Sequence, residues 1–299
     1  MTGTPKISVI ICTRNREKFL PGALNALVKQ SLIQSDYEII IIDNNSTDNT
    51  EIISSNFIES HPELNVRYFL EKEPGLSSAR NRGIRESASD LIAFIDDDAE
   101  VSYNYLETAL DFFNSYPDID ALGGKITPVY ESGIEPAWLS KYMWGLVTKA
   151  DFGSKIIEYP DAKFPYGCNM AFRKKVLYEA GQFNTELLFR SEDKYIFAQM
   201  KKMGKKFLYH PEFSVKHHID NNRITHDSIM SISRAVGAGE RDRLKNEGLL
   251  ANVLKVVEYI LKLCAAVVIA LGFFIKFEFK KGEYLLKNRW LTLAGFFKR

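Results

Sequence analysis

The chain has 299 residues, 45% hydrophobic and 26% charged, and its 39 Lys or Arg against 38 Asp or Glu give a formal net charge of +1. This is enough apolar sequence for one large core plus an appendage, so disorder is excluded as the resting state, and the balanced charge excludes the chain-wide basic field that nucleic acid selects. Three cysteines, Cys12, Cys168 and Cys264, are odd in number, far apart and set in apolar segments without zinc-ligand spacing, which fits reduced core residues of a cytosolic protein.

Met1 to Lys6 is short and polar, so no secretory signal is expected and the protein should face the cytoplasm. Ile7-Ser8-Val9-Ile10-Ile11-Cys12 is rich in β-branched residues and ends at the polar Thr13-Arg14-Asn15-Arg16, which reads as a buried strand followed by a loop. Leu20, Ala23, Leu24, Leu27 and Val28 recur at helical spacing. Glu38 to Ile42 is a second buried strand ending in Asp43, and Asn44-Asn45-Ser46-Thr47-Asp48 supplies turn and capping chemistry for a helix carrying Ile52, Ile53 and Phe57. Val66 to Leu70 gives a third strand, Gly75 to Ser87 a helix and Leu91 to Ile95 a fourth strand, a βαβ rhythm that predicts a parallel nucleotide-binding half-domain over residues 1–100.

That fourth strand runs straight into Asp96-Asp97-Asp98. Three carboxylates cannot follow five apolar residues into a core without a cation or solvent, so the strand must end at an open edge, where open α/β sheets bind ligands. Taken alone, such a triplet equally suits a helix cap, a calcium loop or a solvated turn.

A helix is expected over Tyr103 to Tyr116, then a strand from Ala121 to Val129 interrupted by glycine and proline. From about Tyr130 to Pro165 periodicity disappears, a length typical of a functional loop region that shapes an acceptor pocket. Tyr166 to Phe172 reads as a strand, Lys174 to Ala180 as a helix, a further helix begins near Ser191, and Phe207 to His210 and Phe213 to His218 read as two short strands.

The tail differs in composition. Leu249 to Lys262 is amphipathic, and Leu263 to Ile275 is an uncharged run of 13 residues. This is short of the roughly 20 residues of a spanning helix, so an interfacial or re-entrant segment is expected. From Lys276 to Arg299 seven Lys or Arg stand against two Glu, beside Trp290, Phe296 and Phe297, a pattern suited to an anionic cytoplasmic leaflet. The alternative is an apolar helix docked on the catalytic domain or on a second subunit. The expected division is a catalytic domain over 1–245, with an acceptor-binding half over 101–245, and a membrane-associating helical tail over 246–299.

Taken in order, Thr13-Arg14-Asn15 after strand one, Asp43 after strand two, the helix Gly75-Leu76-Ser77-Ser78-Ala79-Arg80-Asn81-Arg82-Gly83, the Asp triplet, and Glu192-Asp193 opening a late helix resemble the family 2 inverting glycosyltransferases of GT-A fold, from about Ile7 to His218. The resemblance is greatest to non-processive members acting on polysaccharide or lipid-linked sugars. It implies an α/β fold with a mostly parallel nucleotide-binding sheet flanked by helices, followed by a C-terminal helical extension. It also implies a nucleotide-diphosphate sugar donor, a UDP-sugar by the family's habit, and a glycan or lipid-linked acceptor at the cytoplasmic face of the cell membrane.

The chemistry asks for these residue types. A departing nucleotide diphosphate develops negative charge that a divalent cation offsets, and hard carboxylate oxygens suit Mn2+ or Mg2+. The family pattern implies that Asp98 binds the metal and that Asp96 or Asp97 meets ribose or donor sugar. His217 matches a further metal or phosphate position, and alternation along a strand lets only one of His217 and His218 face the site. An imidazole ligand shifts the preference toward Mn2+. Asp193, with Glu192 beside it, is the general base by resemblance, against a bland reading in which both acids and Ser191 merely cap the helix. Thr13, Arg14, Asn15 and Glu17 follow the first strand as nucleotide contacts. Asp43 suits the imide N–H of uracil, Arg80 the diphosphate or base, and Asn169 and Gly124 the donor-sugar side. The chain lacks the Gln-x-x-Arg-Trp signature of processive synthases, running Lys201-Lys202-Met203-Gly204 there, so transfer of one sugar is expected. A nucleotidyltransferase would want a glycine-rich loop after strand one, which Thr13-Arg14-Asn15-Arg16 is not. A catalytically silent sugar-nucleotide-binding or membrane scaffold protein is the remaining alternative.

Overall fold

The computed structural model describes residues 3–160, 163–187 and 191–297; Met1, Thr2, Lys298 and Arg299, which the sequence reading used at the two ends, lie outside them. In chain order the elements are β1 (Ile7–Thr13), α1 (Leu20–Val28), β2 (Tyr37–Asp43), α2 (Thr50–Ser60), β3 (Asn65–Leu70), α3 (Leu76–Glu86), β4 (Leu91–Asp96), β5 (Ala99–Val101), α4 (Tyr105–Ser115), β6 (Ala121–Tyr130), β7 (Ile157–Glu158), β8 (Asn169–Arg173), α5 (Lys174–Glu179), α6 (Glu192–Lys202), β9 (Phe207–Ile219), α7 (His226–Leu244), α8 (Gly248–Ile275) and α9 (Phe279–Phe297). They form two compact units: Met1–Thr127, Ala150–Thr185 and Asp193–His218 make the first, and Pro128–Lys149, Glu186–Glu192 and Ile219–Arg299 the second.

In the first unit the strands order as β3-β2-β1-β4-β8-β6-β9-β5, with β7 added on β9. The β3, β2, β1 and β4 strands pair in parallel, each reached by a helical crossover, whereas β8 returns antiparallel to β4 and β6 and β5 pair antiparallel to β8 and β9. The sheet is therefore mixed: the expected parallel half exists and an antiparallel half completes it. Alternation divides the apolar strand residues between two layers. Val9, Ile11, Ile39, Ile41, Ala93 and Ile95 pack under α1 and α4. Ile10, Ile40, Ile42, Ile92 and Phe94 pack under α3, α5 and α6. A Cβ on Gly83 would come within 2.5 Å of Ile10 Cγ2, so α3 lies close on β1 only because that residue is glycine. The buried Glu38 accepts from the Ser8 hydroxyl at 2.5 Å, the Ala88 N–H at 2.7 Å and the Arg67 guanidinium at 2.6 Å, tying β1, β2, β3 and the turn before β4.

Two expectations change. The glycine- and proline-bearing segment 121–130 is one continuous strand, and the two short strands expected over 207–218 are one, β9, which keeps Pro211. Pro211 falls between Leu208 and Tyr209, paired with β7, and Val215 to His217, paired with β5, so the missing N–H interrupts no ladder on that side.

In the second unit, a 3-10 helix over Lys141–Val147 joins α7, α8 and α9 around Trp138, Leu139, Met143, Ile229 and Leu285. A Cβ on Gly237 of α7 would lie 2.0 Å from the Thr292 carbonyl, and one on Gly295 of α9 2.1 Å from the Arg234 carbonyl, so the two helices touch backbone to backbone. The buried Asn288 amide donates to Ser233 Oγ at 2.9 Å across the same seam. The α7 helix thus belongs with the tail helices, and the compact unit begins well before the expected division at 245/246. The α8 helix joins the amphipathic and uncharged segments into 28 residues, about 42 Å at ~1.5 Å per residue. An 18-residue stretch of it has mean hydropathy 2.2 and is 11% buried, and it is long and apolar enough to cross a membrane. Leu250, Leu254, Leu261, Val268, Leu271 and Ile275 are exposed.

Candidate functional site

The register of the parallel half assembles the site. Thr13 lies opposite Asp43 and Cys12 opposite Asp96, so the loops after β1, β2 and β4 open at one edge of the sheet. There the loops are stitched together by side chains. Asn15, at φ 54°, donates its N–H to Ser46 Oγ at 2.9 Å, and its Oδ1 accepts from the Thr47 N–H at 2.7 Å. Glu17 accepts from the N–H and amide of Asn49 at 3.0 and 2.8 Å, just ahead of α2. Asn15 and Glu17, expected to touch nucleotide, therefore brace the loop that carries Asp43, and Arg14 is exposed beside them.

Asp43 is 2% exposed; one carboxylate oxygen accepts from the Ser46 N–H and the other from the Tyr68 hydroxyl, both at 2.8 Å. Burial, then this carboxylate, pushes the Tyr68 phenol up, so it stays a donor. Each Asp43 oxygen keeps a further lone pair for a ligand.

Beyond β4 the three aspartates separate. Asp96 lies 3.8 Å from Arg80, whose buried guanidinium rests over the Phe183 ring at 5.2 Å. Asp97 is buried, and desolvation pushes its carboxyl up to about 7 although the Arg16 guanidinium beside it opposes the shift. Asp98, 5% exposed, has Oδ1 3.1 Å from His217 Nε2, while its Oδ2 contacts Arg16. The β5–β9 ladder delivers that histidine: Ala99 pairs with His217, and the His218 N–H donates to the Asp98 carbonyl at 2.8 Å. His217 is 1% exposed and faces the aspartates, and His218 turns outward to Glu100 at 2.9 Å, as strand alternation requires.

Asp96, Asp98 and His217 each offer a ligand atom within 4.8 Å of the other two. Two carboxylates and one imidazole, Asp98 and His217 buried and Asp96 partly open to solvent, fit a divalent cation of the Mn2+ or Mg2+ type.

Asp193, in the first turn of α6, accepts from the Gly167 N–H at 3.2 Å and the Lys194 N–H at 2.8 Å. Gly167 in turn lies against Arg80, where a Cβ would come within 2.2 Å of the guanidinium. The chain Asp96, Arg80, Gly167, Asp193 joins the carboxylate triplet to the candidate base. Glu192 precedes Asp193 as the first residue of α6.

Two expected donor-sugar residues occupy another place. Asn169 is 0% exposed, donates to the Lys125 and Phe213 carbonyls at 3.1 and 2.9 Å and accepts from the Tyr105 hydroxyl at 3.1 Å. A Cβ on Gly124 would strike the Phe213 carbonyl at 1.5 Å. Both hold β6, β8 and β9 together. Sequence reasoning missed Arg16, whose Nε donates to Asp97 Oδ1 at 3.0 Å across 81 residues of chain; the only signal was an arginine in the loop that faces the triplet. Cys12 also belongs here, opposite Asp96, with burial pushing its thiol up to about 12.

A parallel half-sheet with loops at one edge, an Asp-x-Asp turn beyond its last strand and an antiparallel half that returns a histidine to that turn define a GT-A type transferase architecture. The model of Glycosyl transferase family 2 matches residues 8–181, more than half of the sequence, and the chain belongs to that family. It is 24% identical over 248 residues to the glucosyl-dolichyl phosphate glucuronosyltransferase of Haloferax volcanii, covering 79% of this chain and 76% of that protein. The mannosyltransferase PcManGT of Pyrobaculum calidifontis, solved with GDP-Man and Mn2+, aligns over 96% of this chain and 86% of its own at TM-score 0.66 and 18% identity. S. aureus TarS 1-349 with UDP-GlcNAc aligns over 81% of this chain and 67% of its own at TM-score 0.58 and 20% identity. The chain spans less than half the length of several further curated relatives.

Proposed function

We propose that this glycosyltransferase is metal-dependent and inverting, moving one sugar from a nucleotide-diphosphate sugar to a lipid-linked or polysaccharide-precursor acceptor. The observation that carries the reading is the cluster Asp96, Asp98 and His217 at the edge where the Asp43 loop opens. A divalent cation bound there supplies charge neutralisation for the departing nucleotide diphosphate.

The remaining work falls to side chains. Asp43 accepts from the base; the imide N–H of uracil meets that acceptor, which supports a UDP-sugar, the donor class found with TarS. Arg80, fixed by Phe183 and by the close approach of Gly167, directs positive charge toward the diphosphate. Asp193, oriented by the Gly167 N–H, takes the proton from the acceptor hydroxyl as it attacks from the side opposite the leaving group, which inverts the anomeric carbon. Asn169 and Gly124 serve behind the site as braces.

The acceptor reading draws on the dolichyl phosphate in the name of the Haloferax volcanii relative and on α8, whose exposed apolar face suits a bilayer at its cytoplasmic surface. Because α9 packs along α8 and carries Lys280, Lys281, Lys287 and Arg289, the hairpin suits an in-plane seat among anionic headgroups better than a span.

The test incubates the full chain with a panel of nucleotide sugars and Mn2+ or Mg2+, with and without membrane lipid extract, and follows nucleotide release. Metal-dependent release that rises with lipid extract is expected; release with no sugar under any condition overturns the reading. Asp193→Asn should lower transfer by roughly 10²–10⁴-fold while nucleotide binding stays.

A further inference from the structure

We infer that Arg16 is an internal competitor of the metal, a guanidinium that holds Asp98 until cation and donor arrive together, and that it thereby couples cation binding to donor binding. The inference rests on the metal reading above. The fork of Arg16 spans two carboxylates with different duties: Nε donates to Asp97 Oδ1 at 3.0 Å and Nη2 contacts Asp98 Oδ2. Asp98 belongs to the ligand cluster and Asp97 does not.

Three properties follow from that division. Asp97 and Asp98 are 7% and 5% exposed, so their charges need a counterion whether or not a cation is bound. Arg16 supplies one, and its side chain is 29% exposed, lying over the Phe19 ring at 4.5 Å, so its guanidinium has a solvent side into which it can turn. A cation among Asp96, Asp98 and His217 would meet that positive charge on the same carboxylate, and the two repel. Arg16 can yield Asp98 without leaving the site, since the Asp97 bond remains as a pivot. The yielded Nη groups then face the edge at which a diphosphate would bring negative charge. A cation alone has to displace Arg16 against repulsion, whereas a cation arriving with a nucleotide diphosphate gives the guanidinium a new partner. This is positive coupling between two ligands through one side chain.

The experiment measures Mn2+ affinity of the full chain, by titration calorimetry or by the EPR signal of unbound Mn2+, with and without UDP. For wild type, UDP should tighten Mn2+ binding. In Arg16→Gln, Mn2+ alone should bind roughly three- to tenfold tighter than to wild type and the tightening by UDP should shrink by a similar factor. Mn2+ affinity of Arg16→Gln equal to or weaker than wild type overturns the competitor role, because a purely structural arginine would weaken the site when lost. No Mn2+ binding by wild type in any condition overturns the metal reading and this inference with it. If Arg16→Gln does not fold, wild-type protein labelled at its arginines decides by NMR: Mg2+ and UDP together should change the exchange of the Arg16 Nη protons more than either does alone, and exchange left unchanged by the pair overturns the role.

Discussion

The two units treat their apolar residues in opposite ways. In the first, strand residues such as Ile10, Ile40 and Ile92 are 0% exposed, and polar groups that enter the core, Glu38 and Asn169 among them, are met by hydrogen bonds. In the second, the most apolar helix, α8, keeps Leu250, Val268 and Ile275 above two-thirds exposed while its neighbours α7 and α9 are locked together through glycines. A chain that buries isoleucine completely in one unit has not run short of core in the other; an exposed apolar face of this extent is the kind found at contact surfaces. The first unit holds chemistry in a closed lattice of bonds, and the second holds a surface.

The sharpest way to break that contrast is at the chemistry. Asp98→Asn removes a carboxylate of the proposed cation cluster and the partner of both His217 and Arg16, and sugar transfer should fall by roughly 10²–10³-fold, measured as nucleotide release at saturating donor. Next comes the lattice. Glu38→Ala leaves the Ser8 hydroxyl and the Ala88 N–H without their buried acceptor and should lower urea-unfolding stability of the first unit by about 1–3 kcal/mol. Within the second unit, Gly295→Leu forces a side chain against the Arg234 carbonyl and should reduce stability by about 1–3 kcal/mol, with hydrogen-exchange protection lost first in α7 and α9. The smallest effect on folding belongs to the exposed face: Leu254→Ser with Leu261→Ser should leave stability within about 0.5 kcal/mol of wild type while reducing co-sedimentation with anionic liposomes. Unchanged co-sedimentation would remove α8 from the lipid surface.

The parallel half was legible because each strand there is a local apolar run closed by polar turn residues, so Ile7 to Asp96 fell into place in order. The antiparallel half was less so. Pro211 read as a break between two short strands, but β9 runs through it, the proline falling between the residues that pair with β7 and those that pair with β5, a fact of pairing that no window of sequence contains. The site divides the same way. Alternation allowed only one of His217 and His218 to face the site and the family resemblance chose His217; the strand does turn that residue toward Asp98, at 3.1 Å, and His218 away. Asn169 and Gly124 were read as ligand contacts because an amide and a glycine serve ligand binding and close packing alike, and only the Phe213 carbonyl, 44 residues from Asn169, separates the two uses. Arg16 escaped notice because its partners lie 81 and 82 residues away and an arginine in a polar loop carries no periodic signal.

The backbone contact between Gly237 and Thr292, mirrored by Gly295 against Arg234, has a practical reach. Anyone wishing to express the first unit without lipid would be tempted to stop the chain ahead of the apolar helix, near Gly248. Such a cut leaves α7 behind with its partner gone, stripping cover from Ile229, Ser233 and Gly237 and creating a sticky helix where none existed. A cut before His226 only moves the problem, because the same body includes Pro128–Lys149 and would then leave Trp138, Leu139 and Met143 without the helices that cover them.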